Sequence, residues 1–550
     1  MKKLVSNLLL IAVFAFSLAS CNQAQKMIDA AEQINIQCDP EVLEVVAGNI
    51  DATVSVTFPP EYFLPKATLE VTPVLLYVGG EAVGKPFVYQ GEKVTDNYKT
   101  VTKNGATISE KVHFDYVPGM EKSELVGRAK VFYKGNEYEY PADIKIADGA
   151  NTTYMLVSTE GSYHYLPDGY QEVIPETAEA QIMYLVNSAD VRNSELKGKS
   201  VKDFLAAIDQ INADERTSIK GTEILAYASP EGPERKNNEL ADKRSASANK
   251  ALKEMGKKHE NLAGAEVKSL GEDWEGFQQL VKESNIEDKE LILRVLSMYS
   301  DPAVRENEIR NMSQVFTALK GEVLPELRRA RLIANVEYQN YTSEELLKLL
   351  NDNADVLDEE ALLRTATLVK DNDQKEEIYK RAVSRFGSER AQFNLAALYL
   401  AEGKLAKAED ALAKVHSNDA DVLNAQGVIA LRKNDLATAA NCFRRSTAPD
   451  AKKNLGIVQI LTGEYEEAAK TLADVDGCCH NTVLAYILNN QLDKAAKTVS
   501  CKDQKVTYLK AIIAARQGNA AGVRENLGNI TNADLLARAK KDVEFAGFDW

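Results

Sequence analysis

The sequence predicts a multidomain chain with three folded parts: an N-terminal antiparallel β-sandwich, a central α/β domain carrying a helical insertion, and a C-terminal all-α solenoid. Three observations predict it. Up to about residue 150, apolar and polar residues alternate with period two between glycine turns. From 180 to 340, strand and helix patterns alternate. After 341, strand patterns vanish and turn residues recur at intervals of roughly thirty residues, the mark of stacked helix pairs.

Composition narrows the function classes. The formal charge of -16 over 550 residues excludes a nucleic-acid binder, which needs a concentrated basic face. Six cysteines are too few for a disulfide scaffold. Lys2 and Lys3 precede the apolar run Leu8 to Phe16, then Leu18-Ala19-Ser20-Cys21. A basic start, a short apolar region and small residues make a secretory signal, since the run is too short to span a bilayer. The four-residue segment resembles a bacterial lipobox, which implies removal of residues 1–20, lipidation of Cys21 and a tether over 21–33. No acid stands in residues 22–26, the first being Asp29; an acidic run there would resemble a surface-export signal, so the expected orientation is periplasm-facing at the outer membrane.

Residues 34–150 carry the β pattern. Residues 53–58 (TVSVTF) alternate cleanly, and 68–77 is a second strand in which Pro73 marks an edge or a bulge. Residues 112–116, 129–133 and 144–146 continue the series, with turns at Gly79-Gly80, Asn104-Gly105 and Gly135-Asn136. Short strands so spaced predict an immunoglobulin-like sandwich. No site is legible in it, Cys38 reads as an unpaired or small buried residue, and the expected role is a spacer or docking module. Residues 151–179 read as a linker.

The central domain, 180–340, opens with a strand at 181–186, a helix at 200–212 and a strand at 224–228. A polar turn with Ser229, Pro230, Glu231, Gly232 and Pro233 leads into a long helix, where Asn237 and Arg244 stand two turns apart on one face. Strands at 266–270 and 330–336 close it, with an insertion over about 272–326 that is helical in pattern. Within the insertion Trp274 and Phe277 read as core and Pro302 as a first-turn proline.

In this order the elements resemble an OmpA-like domain. That family's turn, G-Y-T-D-x-x-G, and its helix, N-x-x-L-S-x-x-R-A, correspond here to residues 226–232 and to Asn237, Leu240 and Arg244, with Ser245 where alanine is usual. Asn187 and the basic pair in Leu327-Arg328-Arg329-Ala330 also fit. The resemblance implies peptidoglycan binding, an aspartate and the arginine clamping the zwitterionic stem. The aspartate position is Ser229, which accepts a hydrogen bond but cannot neutralise an ammonium, and Glu231 lies two residues on. Two readings stay open: peptidoglycan contact through Ser229, Glu231, Asn237 and Arg244, or a domain that keeps the fold with its ligand lost or changed. The whole arrangement is similar to envelope lipoproteins of Bacteroidetes.

In residues 341–550 the turn residues are Asn372, Gly403, Asn434, Gly463, Asn490 and Gly518, with Ala408, Ala439, Ala468 and Ala495 following four of them. The units resemble tetratricopeptide helices compressed below that family's repeat of about 34 residues. The resemblance implies a groove that binds an envelope protein partner. Cys478-Cys479-His480, with Cys442 or Cys501, lacks zinc-knuckle spacing, so no metal or other cofactor is expected; a disulfide suits an exported chain, with its pairing unreadable. The five histidines, His113, His164, His259, His416 and His480, have no catalytic spacing, and phosphate-loop and nucleophile motifs are missing, so no enzyme is expected. The expected function is anchoring or scaffolding at the outer membrane; the alternative is an accessory subunit of an outer-membrane assembly or secretion complex without peptidoglycan binding.

Overall fold

Two units make up the chain, and one of them is discontinuous in sequence. A computed structural model describes residues 23–257, 262, 264–475, 480–500 and 502–550. The signal, Cys21, His259, Cys478, Cys479 and Cys501 lie outside them. The first unit joins Met1–Leu166 to Glu389–Trp550; the second is Pro167–Ser388. The division expected at 340/341 therefore falls at 388/389, because the helices Ser343–Asp352, Glu359–Leu368 and Asn372–Phe386 belong with the α/β sheet.

In the first unit the β region is one path of strands folded into two layers. Strands Asn35–Asp39, Asn49–Phe58 and Ala106–Asp115 form one layer. Ala67–Tyr77, Phe87–Gly91, Ser123–Tyr133 and Ile144–Asn151 form the other, and Val42–Val46 joins the two. Alternating residues of both layers meet inside, as Phe58 of one does Tyr89 of the other at 5.3 Å between ring centroids. Two pairings are parallel, Val42–Val46 with Ile144–Asn151 and Phe87–Gly91 with Lys99–Val101, so the sandwich is not purely antiparallel.

Pro73 lies inside the strand Ala67–Tyr77, paired with Ser123–Tyr133 along its whole length. Its carbonyl accepts from Gly84 on the opposite side, so its nitrogen, which carries no hydrogen, faces that side too. There the partner changes from Phe87–Gly91 to Gly80–Val83, and no donor is required. The expected tether is not free: helix Gln23–Asp29 buries Ala24, Met27 and Ile28 in the cluster of Phe58, Tyr62 and Phe63.

Residues 389–528 of this unit fold as helix pairs, Glu389–Ala401 with Leu405–Leu412, Ala420–Arg432 with Leu436–Arg445, Ala451–Leu461 with Tyr465–Leu472, His480–Leu488 with Leu492–Thr498, and Gln504–Arg516 with Ala520–Gly528. Between the helices of each pair stands a left-handed residue: Gly403, Asn434, Gly463, Asn490 or Gly518. Glycine and asparagine tolerate this conformation best. The following residue closes the cap, as Lys404 does by donating to the Tyr399 carbonyl at 2.8 Å. Asn372 differs: it opens a helix capped by Asp371. Ala408, Ala439, Ala468 and Ala495 are fully buried, because the pairs must approach closely. The stack and the β layers share one core, in which Leu43 and Val45 join Leu472 and Leu484. At its far end Arg516 and Glu544 pair at 2.6 Å, and Asn151 and Thr153 donate to the same carboxylate, each at 2.8 Å.

The second unit has a four-stranded sheet in the order Val173–Met183, Arg329–Gln339, Thr217–Ala228, Glu266–Glu272, the last pair parallel and the others antiparallel. Its first strand begins inside the expected linker. Helices Lys199–Ala213 and Glu234–Gly256 cover one face, with Phe204, Ile208, Ala248 and Leu252 packed on Ile182, Ile224 and Leu332. The insertion forms four helices with their own core around Phe277, Ile292, Ile309 and Leu319. Pro302 sits in the first turn behind Asp301, whose carboxylate caps Ala303 and Val304.

A Cβ at Gly427 would lie 2.4 Å from the Phe443 ring, whereas nothing lies within 4 Å of one at Gly528. Alanine in place of glycine gains about 1 kcal/mol of propensity inside a helix and less at a last helical residue such as Gly528. Gly528→Ala is therefore expected to raise the melting temperature, and Gly427→Ala to lower it, since overpacking costs about 1–3 kcal/mol. Thermal melts of the two variants check this.

Candidate functional site

Each unit carries polar groups in a built arrangement at a place where a ligand is expected. The first is the turn of the second unit, where strand Thr217–Ala228 hands over to helix Glu234–Gly256. The helix lays Asn237, Ala241, Arg244, Ser245 and Ala248 against the sheet, so Asn237 and Arg244 do share one buried face. The Arg244 side chain has no exposed surface. Its Nε donates to the Ser188 carbonyl at 3.0 Å, and its two terminal nitrogens to the Tyr227 and Leu185 carbonyls at 2.9 and 3.3 Å. Asn187, left-handed between two of those acceptors, turns the chain between them. The guanidinium also lies over the Tyr184 ring, 5.0 Å from its centroid. Burial lowers its pKa to about 10.

The remaining residues of the turn are paired as well. The Ser229 hydroxyl donates to Glu231 at 2.8 Å, and Glu231 accepts from Arg328 at 2.9 and 3.2 Å. Asn237 donates to the Gly232 carbonyl at 2.9 Å and to Glu272 at 2.7 Å. Arg329, the second of the basic pair, bonds Asp273 at 2.8 Å. The sequence brings these residues together, and the fold points their donors at one another.

The second place is the groove of the helix pairs in the first unit. Residues 157–166, expected as a linker, run along it without helix or strand, in the direction opposite to the order of the pairs. Asn481 accepts from the Ser158 N–H at 2.8 Å and donates to the Ser158 carbonyl at 3.0 Å. Asn454 does the same for Ser162, both at 2.7 Å, and Asn424 donates to that carbonyl at 2.9 Å. Asn394 accepts from Leu166 at 2.7 Å and donates back at 3.0 Å. These four asparagines are 0 to 7% exposed. Each stands in the first helix of successive pairs, among mostly apolar buried residues.

His480 donates through Nε2 to the Leu156 carbonyl at 2.6 Å, holding the start of the same segment. The metal and disulfide reading that involved it falls on Cys478, Cys479 and Cys501, outside the described residues. Cys442 is a buried free thiol and Cys38 a half-buried one, both with pKa raised by burial. No group of three potential metal ligands forms among the described residues. No described helix is long and apolar enough to cross a membrane.

No family model and no curated protein matches the chain. Among solved structures, one titled "Crystal structure of APC/C hetero-tetramer Cut9-Hcn1" is similar at 14% identity and a TM-score of 0.22, covering 62% of this chain and 81% of that one. A likeness that remote carries neither fold nor partner across.

Lysine at 244 would keep the charge and lose the fork that reaches three carbonyls. Arg244→Lys is expected to destabilise the second unit by about 3–5 kcal/mol, the range for a buried charge deprived of partners, read from urea unfolding. Burial lowers the His480 pKa below its usual 6.5. The unfolded chain therefore binds more protons as pH falls through that value, and stability drops with it. Melts from pH 7 to 5 are expected to show a smaller loss in His480→Gln than in the wild type.

Proposed function

We propose that the chain is a non-enzymatic, lipid-anchored scaffold of the cell envelope, with an OmpA-like fold as architecture in its second unit and a tetratricopeptide-like stack in its first. One observation carries this reading: both surfaces at which the sequence leads one to expect an outside ligand are filled from within. Gripping a zwitterionic peptidoglycan stem requires a guanidinium and a carboxylate that face solvent. Here Arg244 faces three backbone carbonyls and Glu231 faces Arg328. The groove, likewise, holds residues of its own chain. An accessory subunit of an outer-membrane assembly fits this better than a wall anchor does.

The lipobox supports the anchoring. Helix Gln23–Asp29 starts two residues beyond Cys21 and is packed on the β layers. A lipid on Cys21 would hold that helix within about 7 Å of its attachment point, at about 3.6 Å per extended residue.

Fractionation of cells is expected to place the wild-type chain with the outer membrane and Cys21→Ser in the soluble fraction. Purified mature chain is expected to stay in the supernatant when peptidoglycan sacculi are sedimented. Sedimentation of the wild type that is lost in Glu231→Gln would overturn the architectural reading. Ser229→Asp tests whether restoring one acid regains the ligand.

A further inference from the structure

The asparagines of the groove bond the segment only through its backbone, which is the same in every sequence, so by themselves they would hold other peptides as well. Two other contacts distinguish this segment. Gly161 adopts φ +69°, and a Cβ on it would lie 3.0 and 3.1 Å from the Val428 methyls. A larger residue would be strained by that backbone and would crowd Val428. Three residues on, His164 places its ring nitrogens 3.2 Å from Asp421 and 3.4 Å from Asp450, carboxylates at the starts of two successive first helices. Arg432 completes the seat, donating to the Glu160 carbonyl at 2.7 Å and lying 5.7 Å from the centroid of the Tyr163 ring.

We infer that residues 158–166 are a built-in peptide ligand, seated by the asparagines and selected by Gly161 and His164, and that the groove is a peptide-binding site which this segment keeps closed. Covalent attachment gives the segment a high effective concentration, so a free peptide of the same sequence enters only when the segment is displaced. The inference goes beyond the scaffold reading and does not depend on it, since it rests on the first unit alone.

The test uses the full chain and a fluorescein-labelled peptide of residues 156–166. The wild type is expected to exclude the peptide and to resist chymotrypsin at Tyr163. Gly161→Val is expected to open Tyr163 to cleavage and to bind the peptide. Peptides carrying Gly161→Val or His164→Ala should bind that variant about tenfold more weakly, a difference of about 1.4 kcal/mol. Adding Asn424→Ala and Asn454→Ala to the variant should abolish binding. Should Gly161→Val fail to fold, His164→Ala, which leaves the backbone unchanged, decides the matter: faster cleavage at Tyr163 supports the inference and unchanged cleavage overturns it. A wild type that binds the peptide as tightly as Gly161→Val, or a folded Gly161→Val that refuses it, also overturns it.

Discussion

A polypeptide laid across a helical stack buries N–H and carbonyl groups that water no longer reaches, and each one left unpaired costs about 1–3 kcal/mol. Asn394, Asn424, Asn454 and Asn481 remove that penalty for Ser158, Ser162 and Leu166. The segment removes it in turn for the four amides, which are themselves nearly or fully buried. Each side thus supplies the partners that the other lacks. Asn454 also donates to Asn424 at 2.9 Å, so neighbouring clamps are coupled through one buried bond. The β layers, the segment and the helix pairs therefore act as one unit, reinforced by the shared apolar core and by the Arg516–Glu544 pair at the far end.

The same rule of polar satisfaction governs the turn of the second unit, with a full charge at stake. A guanidinium away from water is tolerable only when its donors have acceptors. Arg244 finds them in the loop after the first strand and at the end of the Thr217–Ala228 strand, so it fastens a loop and a strand end to one helix. That fastening involves no ligand. Glu231 and Asp273 are likewise held by the adjacent arginines 328 and 329, one acid to each.

What the sequence disclosed follows from what is local. The left-handed turns at Gly403, Asn434, Gly463, Asn490 and Gly518 need a residue type that names itself, and the small residues at helix contacts do the same. Strand periodicity located most of the long strands but not Val42–Val46 or Phe87–Gly91, which are short and owe their state to neighbours. The occupied groove was hidden for a different reason. Residues 157–166 have no periodicity of their own, and their conformation is imposed by asparagines more than two hundred residues away. The turn residues were legible as a set, because they lie close together in sequence. Where their donors point was not, since Ser188 and Arg328 come from elsewhere in the chain.

The first unit is assembled from the two ends of the chain, with residues 167–388 made in between. Closing so long a loop adds little in entropy, about 0.6 kcal/mol for each doubling of its length. The delay is another matter. Chains emerge at about 5–20 residues per second, so Leu43 and Val45 wait on the order of tens of seconds for Leu472 and Leu484 to exist. Throughout that interval one flank of the newborn β region is sticky and uncovered, and the stretch ending at Leu166 has no cradle. The part made first is therefore among the last to be finished.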